Sequence, residues 1–239
     1  MGRAYEVRKK DIQKTGAAKA KLYSMYAREI YDVAKKGGAD PTGNPSLKRL
    51  IDRAKKEQVP ADIINRAIDK VNSGVDESYD RVSYEIFGPA GSTVIVECLT
   101  DNVNRSISDV KAVLNKCKCK IGVQGSVSFN YDHLCIIGLK GLSEEEIMDA
   151  IIMSDLDIED IETDQDMVII YGDPKDSHAL KEAIEKIKPN IEFDIDEISM
   201  LPKDKIDLDG ENLELFNRLI TMLEDIDDAN HIYHNVNLS

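Results

Sequence analysis

Hydrophobic residues recur every three or four positions in three stretches near the start of the chain, and this spacing predicts three helices. The first is predicted over residues 18–36 and ends at the glycine pair 37–38. Asn44 followed by Pro45 indicates the start of the second, because an Asn side chain caps free N–H groups and proline has none to satisfy. Pro60 opens the third in the same way.

A different pattern follows, in which short apolar runs alternate with turns. Residues 84–87 and 93–99 flank a Gly-Pro-Ala-Gly sequence and predict an antiparallel hairpin. Apolar residues at helical spacing between Val103 and Leu114 then predict a helix. Residues 126–131 alternate apolar and polar side chains, which predicts a third strand.

The next seventy residues predict the order strand, helix, strand, strand, helix, strand, which is the ferredoxin-like arrangement. Ser143 with Glu146 predicts a capping box at the first of these helices. The predicted strands cover residues 134–139, 158–161, 167–171 and 191–200.

Residues 209–239 predict one more helix and a final strand, which cannot bury both of their faces alone. They would complete the sheet that the hairpin begins. We therefore predict an α+β protein with an N-terminal three-helix domain and two ferredoxin-like α/β sandwich domains, one inserted in the other. The expected domains are residues 1–76, residues 77–132 with 205–239, and residues 133–204.

The segment YEIFGPAGS-VIVECLTDNVNRSISDV, followed by GSVSFNY, resembles the signature of the YebC family. The N-terminal MGR, the GGADP turn and the C-terminal LEDIDDANHIYHNV resemble the ends of that family's proteins. The family includes the YeeN branch and the mitochondrial translational activator of cytochrome oxidase subunit I. The resemblance implies a three-domain plan and either DNA-binding transcriptional regulation or action on the ribosome, including relief of stalling at proline-rich sequences. The start departs from the commoner pattern, because AYEVRKKDIQKTGAAKAK contains no Trp.

The net charge of −14 conceals two regions of opposite sign. Residues 1–71 hold 17 Lys and Arg against 9 Asp and Glu, a net of +8, and the remainder holds 14 against 36, a net of −22. A basic region on an acidic body predicts an anionic partner, with a solvated charged surface as the alternative. The candidate nucleic-acid-binding residues are Arg8, Lys9, Lys10, Lys14, Lys19, Lys21, Lys48, Arg49, Arg53 and Lys56. Such point charges grip phosphates without reading sequence.

A second candidate surface follows the hairpin, at Asp101, Asn102, Asn104 and Arg105. Either Asp101 or Asn102 is expected to cap the helix that follows. The family resemblance places one of its most characteristic motifs here, and Asn104 and Arg105 are not needed for a cap. Two interpretations stay open, a cap with an interdomain contact and a ligand surface at the strand end.

No pattern in the sequence predicts catalysis, a metal site or a cofactor. Cys117 and Cys119 would need two further ligands at compatible spacing to hold zinc. His231 and His234 are three apart on a predicted strand and so point to opposite faces. The Gly-Pro-Ala-Gly turn lacks the lysine and the following helix of a phosphate-binding loop. We expect a protein that is not an enzyme.

No apolar stretch approaches the roughly 20 residues that span a bilayer. We therefore expect a cytoplasmic protein with reduced thiols and no membrane partner. The favoured hypothesis is a regulator of gene expression that binds ribosomal RNA at the ribosome. The alternatives are a DNA-binding transcriptional regulator and an acidic module that binds partner proteins.

Overall fold

The computed structural model describes residues 16–238, which form two compact units. One contains residues 16–131 and 202–238, and the other contains residues 132–201. The helices and strands are, in chain order, α1 Gly16–Gly37, α2 Pro45–Lys56, α3 Ala61–Asn72, β1 Asp80–Phe87, β2 Thr93–Thr100, α4 Val103–Cys117, β3 Lys120–Ile121, β4 Tyr131–Lys140, α5 Glu144–Met153, β5 Asp160–Asp164, β6 Met167–Gly172, α6 Ser177–Ile187, β7 Phe193–Pro202, α7 Gly210–Glu224 and β8 Ala229–His234.

The three predicted helices are confirmed as α1, α2 and α3, which we call the helical region. Asn44 caps α2 by accepting a hydrogen bond from Leu47 N at 3.1 Å. Its amide nitrogen also donates to the carbonyl of Gly38 at 2.9 Å. A Cβ atom on residue 37 would lie 2.7 Å from that nitrogen, so a larger residue there would displace the Asn44 side chain from its capping position. Tyr26 and Ile30 are fully buried in the core that the three helices share.

The first sheet has the order β3-β1-β2-β8, with every neighbouring pair antiparallel. The predicted hairpin is confirmed, since Phe87 pairs with Thr93 and Asp80 with Thr100. The C-terminal α7 and β8 return to this sheet as expected, and residues of α4 and α7 form its core with the inner strand residues. The sequence boundaries of three separate domains stay a prediction.

The prediction of a strand over residues 126–131 is wrong. Residues 124–127 are in turns and residues 128–130 form a single 3₁₀ turn, whereas the third strand is the two-residue β3. The cause is Glu85, whose buried carboxylate accepts hydrogen bonds from the backbone N–H groups of Gly125, Val127 and Ser128. Donors that converge on one side chain cannot also form a sheet ladder.

The second unit has the strand order β5-β6-β4-β7, which confirms the ferredoxin-like prediction. The capping box is also confirmed, because Ser143 and Glu146 exchange hydrogen bonds between side chain and backbone. Residues of α5 and α6 pack on one face of this sheet, around Ile137 and Leu139, which are fully buried.

Candidate nucleic-acid interface

The structure describes six of the ten basic residues that the sequence nominates, and Arg8, Lys9, Lys10 and Lys14 lie outside the described residues. Lys19, Lys48 and Lys56 are exposed, whereas Arg49 and Arg53 are half-buried. Because Leu47, Ile51 and Ala54 are the buried residues of α2, its lysines lie on the outward side of the helix. This placement puts Lys48 and Lys56 where a phosphate in solution can reach them.

Many cations of the helical region already have acidic partners. Arg53 lies 3.5 Å from Glu57, which also accepts a hydrogen bond from the buried Tyr26 hydroxyl at 2.8 Å. Arg66 pairs with Asp62 at 3.1 Å, one helical turn away. Ion pairs at a protein surface contribute little to stability, but they lower the local positive charge that a phosphate would meet.

Lys21 has a structural partner. Its ammonium group donates to the carbonyl oxygen of Ile226 at 2.6 Å and to that of Glu224. These carbonyls lie at the C-terminus of α7 and just beyond it, where the helix dipole favours a positive charge. Burial lowers the pKa of Lys21. Lys21 therefore ties the helical region to the first sheet.

The strand-end motif forms a helix cap. Asn102 is the N-cap of α4, and its side chain accepts a hydrogen bond from Arg105 N at 3.1 Å. Asp101 lies 2.7 Å from the Arg105 guanidinium. Asn104 is exposed, and its carbonyl accepts from the Ser108 hydroxyl at 2.7 Å. The expected cap is thus present, and it is provided by Asn102.

Asp228 gives this motif its link to the helical region. Its buried carboxylate accepts hydrogen bonds from Arg105 at 2.8 Å, from the Thr100 hydroxyl at 2.8 Å and from Arg28 of α1 at 2.9 Å. Burial alone would raise the pKa of Asp228, but the bonds from Arg105, Thr100 and Arg28 lower it. A buried charge with this many donors is satisfied. Arg105 is therefore engaged by two carboxylates.

A second contact joins the helical region to the open face of the first sheet. Glu29 is buried on α1 and accepts hydrogen bonds from Asn230 at 2.7 Å and from His231 Nε2 at 3.1 Å. Burial favours a higher pKa for Glu29, yet the bonds from His231 and Asn230 lower it to about 2. Nearby, Asp32 pairs with Arg81 of β1 at 3.1 Å.

Between α1, α4 and the turn after α7 lies an open cleft of about 1120 Å³. Its cationic side chains are Lys21, Arg28, Arg105 and Lys116. Its acidic side chains are Asp101, Asp109, Asp225, Asp227 and Asp228. The acids outnumber the cations, and the two arginines are bound to Asp228, so this cleft is a poor match for a phosphate chain.

Neither a cluster of metal ligands nor a membrane-spanning helix is present in the described part of the chain. Within it, no three His, Cys, Asp or Glu side chains are grouped as a metal site requires. Burial raises the pKa of Cys119 to about 11 and also raises the pKa of Cys117, which disfavours the thiolate form that binds metals. As expected, His231 and His234 face opposite ways, since His234 packs edge-on against the core residue Phe216. No helix among residues 16–238 is long and apolar enough to cross a bilayer.

Two family models match the chain, and together they cover most of its length. The TACO1/YebC protein N-terminal domain matches residues 3–74, and the TACO1/YebC second and third domain matches residues 79–236. The chain belongs to the TACO1/YebC family. The family resemblance drawn from the signature segment is thus confirmed over nearly the full length.

Relatives within the TACO1/YebC family are named as regulators. A probable transcriptional regulatory protein of Marinomonas sp. is 46% identical over 235 residues, which cover 98% of this chain and 99% of the relative. A probable transcriptional regulatory protein of Marinobacter nauticus is 44% identical over 238 residues, covering 100% and 99%. The crystal structure of a conserved hypothetical protein from Aquifex aeolicus matches with a TM-score of 0.75 and 31% identity, over 95% of this chain and 93% of that one.

Sequence reasoning found the TACO1/YebC signature motif but missed the residue that anchors it. Asp228 lies in the sequence LEDIDDANHIYHNV, where three other acidic residues stand close by. Local pattern does not tell which of these four carboxylates turns inward. A partial signal was present, because Asp228 lies in the connection just before the final strand, and residues in such connections often carry function.

Proposed function

We propose that this chain is a non-enzymatic, nucleic-acid-binding regulator of gene expression that acts on RNA at the ribosome through its helical region. The observation that carries the proposal is the division of charge, with a net of +8 over residues 1–71 and −22 over the remainder. Phosphates attract clustered Lys and Arg side chains at long range and release counterions when bound. The outward lysines of α2, including Lys48, Lys55 and Lys56, provide such a cluster.

The charge of the second unit favours RNA at the ribosome over a long DNA duplex. Residues 132–201 hold 20 Asp and Glu against 5 Lys and Arg. A duplex long enough to come within a Debye length of this unit, about 8–10 Å, would be repelled by its acidic surface. A localised site among folded RNA and basic proteins avoids this repulsion.

The alternative is a DNA-binding transcriptional regulator, and one observation favours it. The Marinomonas and Marinobacter relatives are both named probable transcriptional regulatory proteins. A second alternative, an acidic module that binds proteins, draws on the charge of residues 132–201. The three proposals differ in the molecules with which the protein should co-sediment from a cell lysate.

The test is sedimentation of the tagged protein from lysate through a sucrose gradient at low and moderate salt, with a nuclease-treated control. The charge-reversed variant Lys19→Glu with Lys48→Glu removes two exposed cations of the helical region. The matched control, Lys175→Glu with Lys186→Glu, makes the same charge change on exposed positions of the second unit. Every lysine–phosphate interaction that a variant removes should reduce the salt dependence of binding.

We expect the wild type and the control to migrate with ribosomal particles and the helical variant to shift toward free protein. Co-migration should weaken as salt rises. Migration as free protein, with duplex DNA retained in a parallel binding assay, would favour the transcriptional alternative. Co-migration that is insensitive to salt and to both variants would favour protein contacts.

A further inference from the structure

A second basic stretch lies outside the helical region. Residues 110–131 contain four lysines and no Asp or Glu, in a chain where 45 of 239 residues are acidic. The four are Lys111, Lys116, Lys118 and Lys120, and all of them are exposed. None forms an ion pair within residues 19–238. Their charge is therefore fully presented to solvent, unlike that of the paired arginines in α2 and α3.

An aromatic ring lies directly beside this stretch. Phe87, the last residue of β1, pairs with Lys120 of β3, so their side chains stand on the same face of the sheet. The Phe87 ring lies against Gly122, where a Cβ atom would come within 2.9 Å of the ring. Even so, 43% of Phe87 is exposed. The ring is held in place on one side and open on the other.

The loop that follows β3 adds two more apolar side chains. Val123 is 77% exposed and Phe129 is 63% exposed. The loop is nevertheless well anchored, because the Glu85 carboxylate binds the N–H groups of Gly125 and Ser128 at 2.7 and 2.9 Å. An anchored loop that keeps an aromatic ring in water forgoes the burial that would stabilise it, and several exposed apolar side chains among polar ones are typical of an interaction surface.

We propose that Phe87, Phe129, Lys118 and Lys120, here called the Phe–Lys surface, bind single-stranded nucleic acid. Unpaired bases would stack on the two rings while the lysines contact the phosphates between them. A duplex keeps its bases stacked inside, so these rings select the single-stranded form. The unpaired lysines make the surface complementary to phosphate, which argues against a purely apolar partner or a second copy of this basic face. This inference rests on the proposed nucleic-acid function but places a separate contact outside the helical region.

The test measures fluorescence anisotropy of a labelled single strand of about 12 nucleotides, a length that ordinary single-strand sites cover. RNA and DNA strands of the same sequence, and the corresponding duplexes, are titrated with the full chain. Phe129→Ala removes one ring, and Lys118→Gln with Lys120→Gln removes two charges. The controls are Ile152→Ala, which truncates a side chain that is 67% exposed, and Lys186→Gln, both in the second unit.

We expect Phe129→Ala to weaken single-strand binding about tenfold and to change duplex binding by less than about twofold. The double Lys variant should lower the slope of log affinity against log salt by about 1.4, the value for two phosphate contacts on a single strand. The two controls should match the wild type. Because all the substituted side chains are exposed, folding should be retained, and circular dichroism checks this directly.

Unchanged single-strand affinity in both Phe–Lys variants would overturn the inference. If Lys19→Glu with Lys48→Glu still abolishes binding in that case, the helical-region proposal stands alone. If the wild type binds no nucleic acid of any kind, the proposed function itself fails. A change in sedimentation coefficient on Phe129→Ala, without loss of RNA affinity, would instead identify a contact between copies and reject the single-strand site.

Discussion

The buried carboxylates at the two ends of the first sheet have different kinds of hydrogen-bond partner. At the end nearest α1, Asp228 and Asp32 are satisfied by Arg28, Arg105 and Arg81, so cations are consumed to join two regions of the chain. At the other end, Glu85 is satisfied mainly by backbone N–H groups, and Lys118 and Lys120 form no ion pair with any side chain of residues 19–238. The number of basic residues therefore does not show which cations already have acidic partners, whereas the hydrogen bonds of the buried acids do.

The largest effect on stability is expected from Asp228→Ala. This change removes the carboxylate that Arg28 and Arg105 share, and it leaves the Thr100 hydroxyl without its acceptor. Breaking a buried ion pair from one side costs about 3 kcal/mol in the free energy of unfolding. Urea denaturation followed by circular dichroism measures it.

The control is Asp227→Ala, one residue earlier, where the side chain is exposed. It should change the free energy of unfolding by less than about 0.5 kcal/mol. Equal midpoints for Asp228→Ala and Asp227→Ala would show that the arginine contacts do not hold the α1 end of the sheet together.

A pH effect should distinguish the α1 end from the rest of the molecule. The hydrogen bonds to Glu29 lower its pKa from 4.5 to about 2, against the effect of burial. A depressed carboxyl pKa stabilises the fold above the unfolded value and loses that contribution as pH falls from about 4.5 toward 2. The full contribution is on the order of 3 kcal/mol.

Glu29→Gln isolates this contribution, since glutamine does not titrate. The difference in unfolding free energy between wild type and variant should shrink as pH is lowered from 6 to 3, measured by urea denaturation at each pH. A difference that stays constant across this range would mean that Glu29 does not keep its charge in the folded protein.

At the other end of the sheet, Glu85→Gln should destabilise the protein by about 2 kcal/mol, because one oxygen must replace two and an amide group then faces backbone donors. The effect should be local. Amide hydrogen exchange is expected to rise at Gly125, Val127 and Ser128, whose N–H groups the carboxylate binds, and to stay unchanged at Leu99 N, which bonds Asp228 O at the α1 end. Faster exchange at both ends would show that the two are not independent.

The difference between the ends also explains what the sequence allowed us to predict. The helices and the ferredoxin-like order were predictable because their signals are local: Asn44 before Pro45, Ser143 three residues before Glu146, and apolar periodicity. The loop before Tyr131 was not, because its conformation is fixed by a carboxylate 40 residues earlier in the chain. Alternating apolar residues describe that loop and a strand equally well.

The candidate site was predictable only as a composition. Positive charge near the N-terminus is visible in the sequence, but the pairing of Arg53 with Glu57 and of Lys21 with the end of α7 depends on the folded chain. The four lysines of residues 110–131 did not stand out in the sequence. They belong to the part of the chain after residue 71, whose net charge is −22, so the many acidic residues there outweigh them in the sum. Summing the charge over short segments of the chain, and knowing which acidic side chains are buried, would have identified these lysines.

The smallest expected effect separates the two interpretations of the strand-end motif. Asn102→Ala should cost about 1 kcal/mol, because it removes the cap that accepts from Arg105 N. Asn104→Ala should cost less than about 0.5 kcal/mol, since the side chain is exposed and its backbone carbonyl stays available to Ser108. Both are measured by urea denaturation, with RNA and ribosome binding measured in parallel.

Loss of binding in Asn104→Ala at unchanged stability would establish a ligand surface, because nothing structural is removed at that position. Unchanged binding in Asn104→Ala, with a binding loss in Asn102→Ala no larger than its loss of stability explains, would leave the cap and the Asp228 contact as the whole role of the motif.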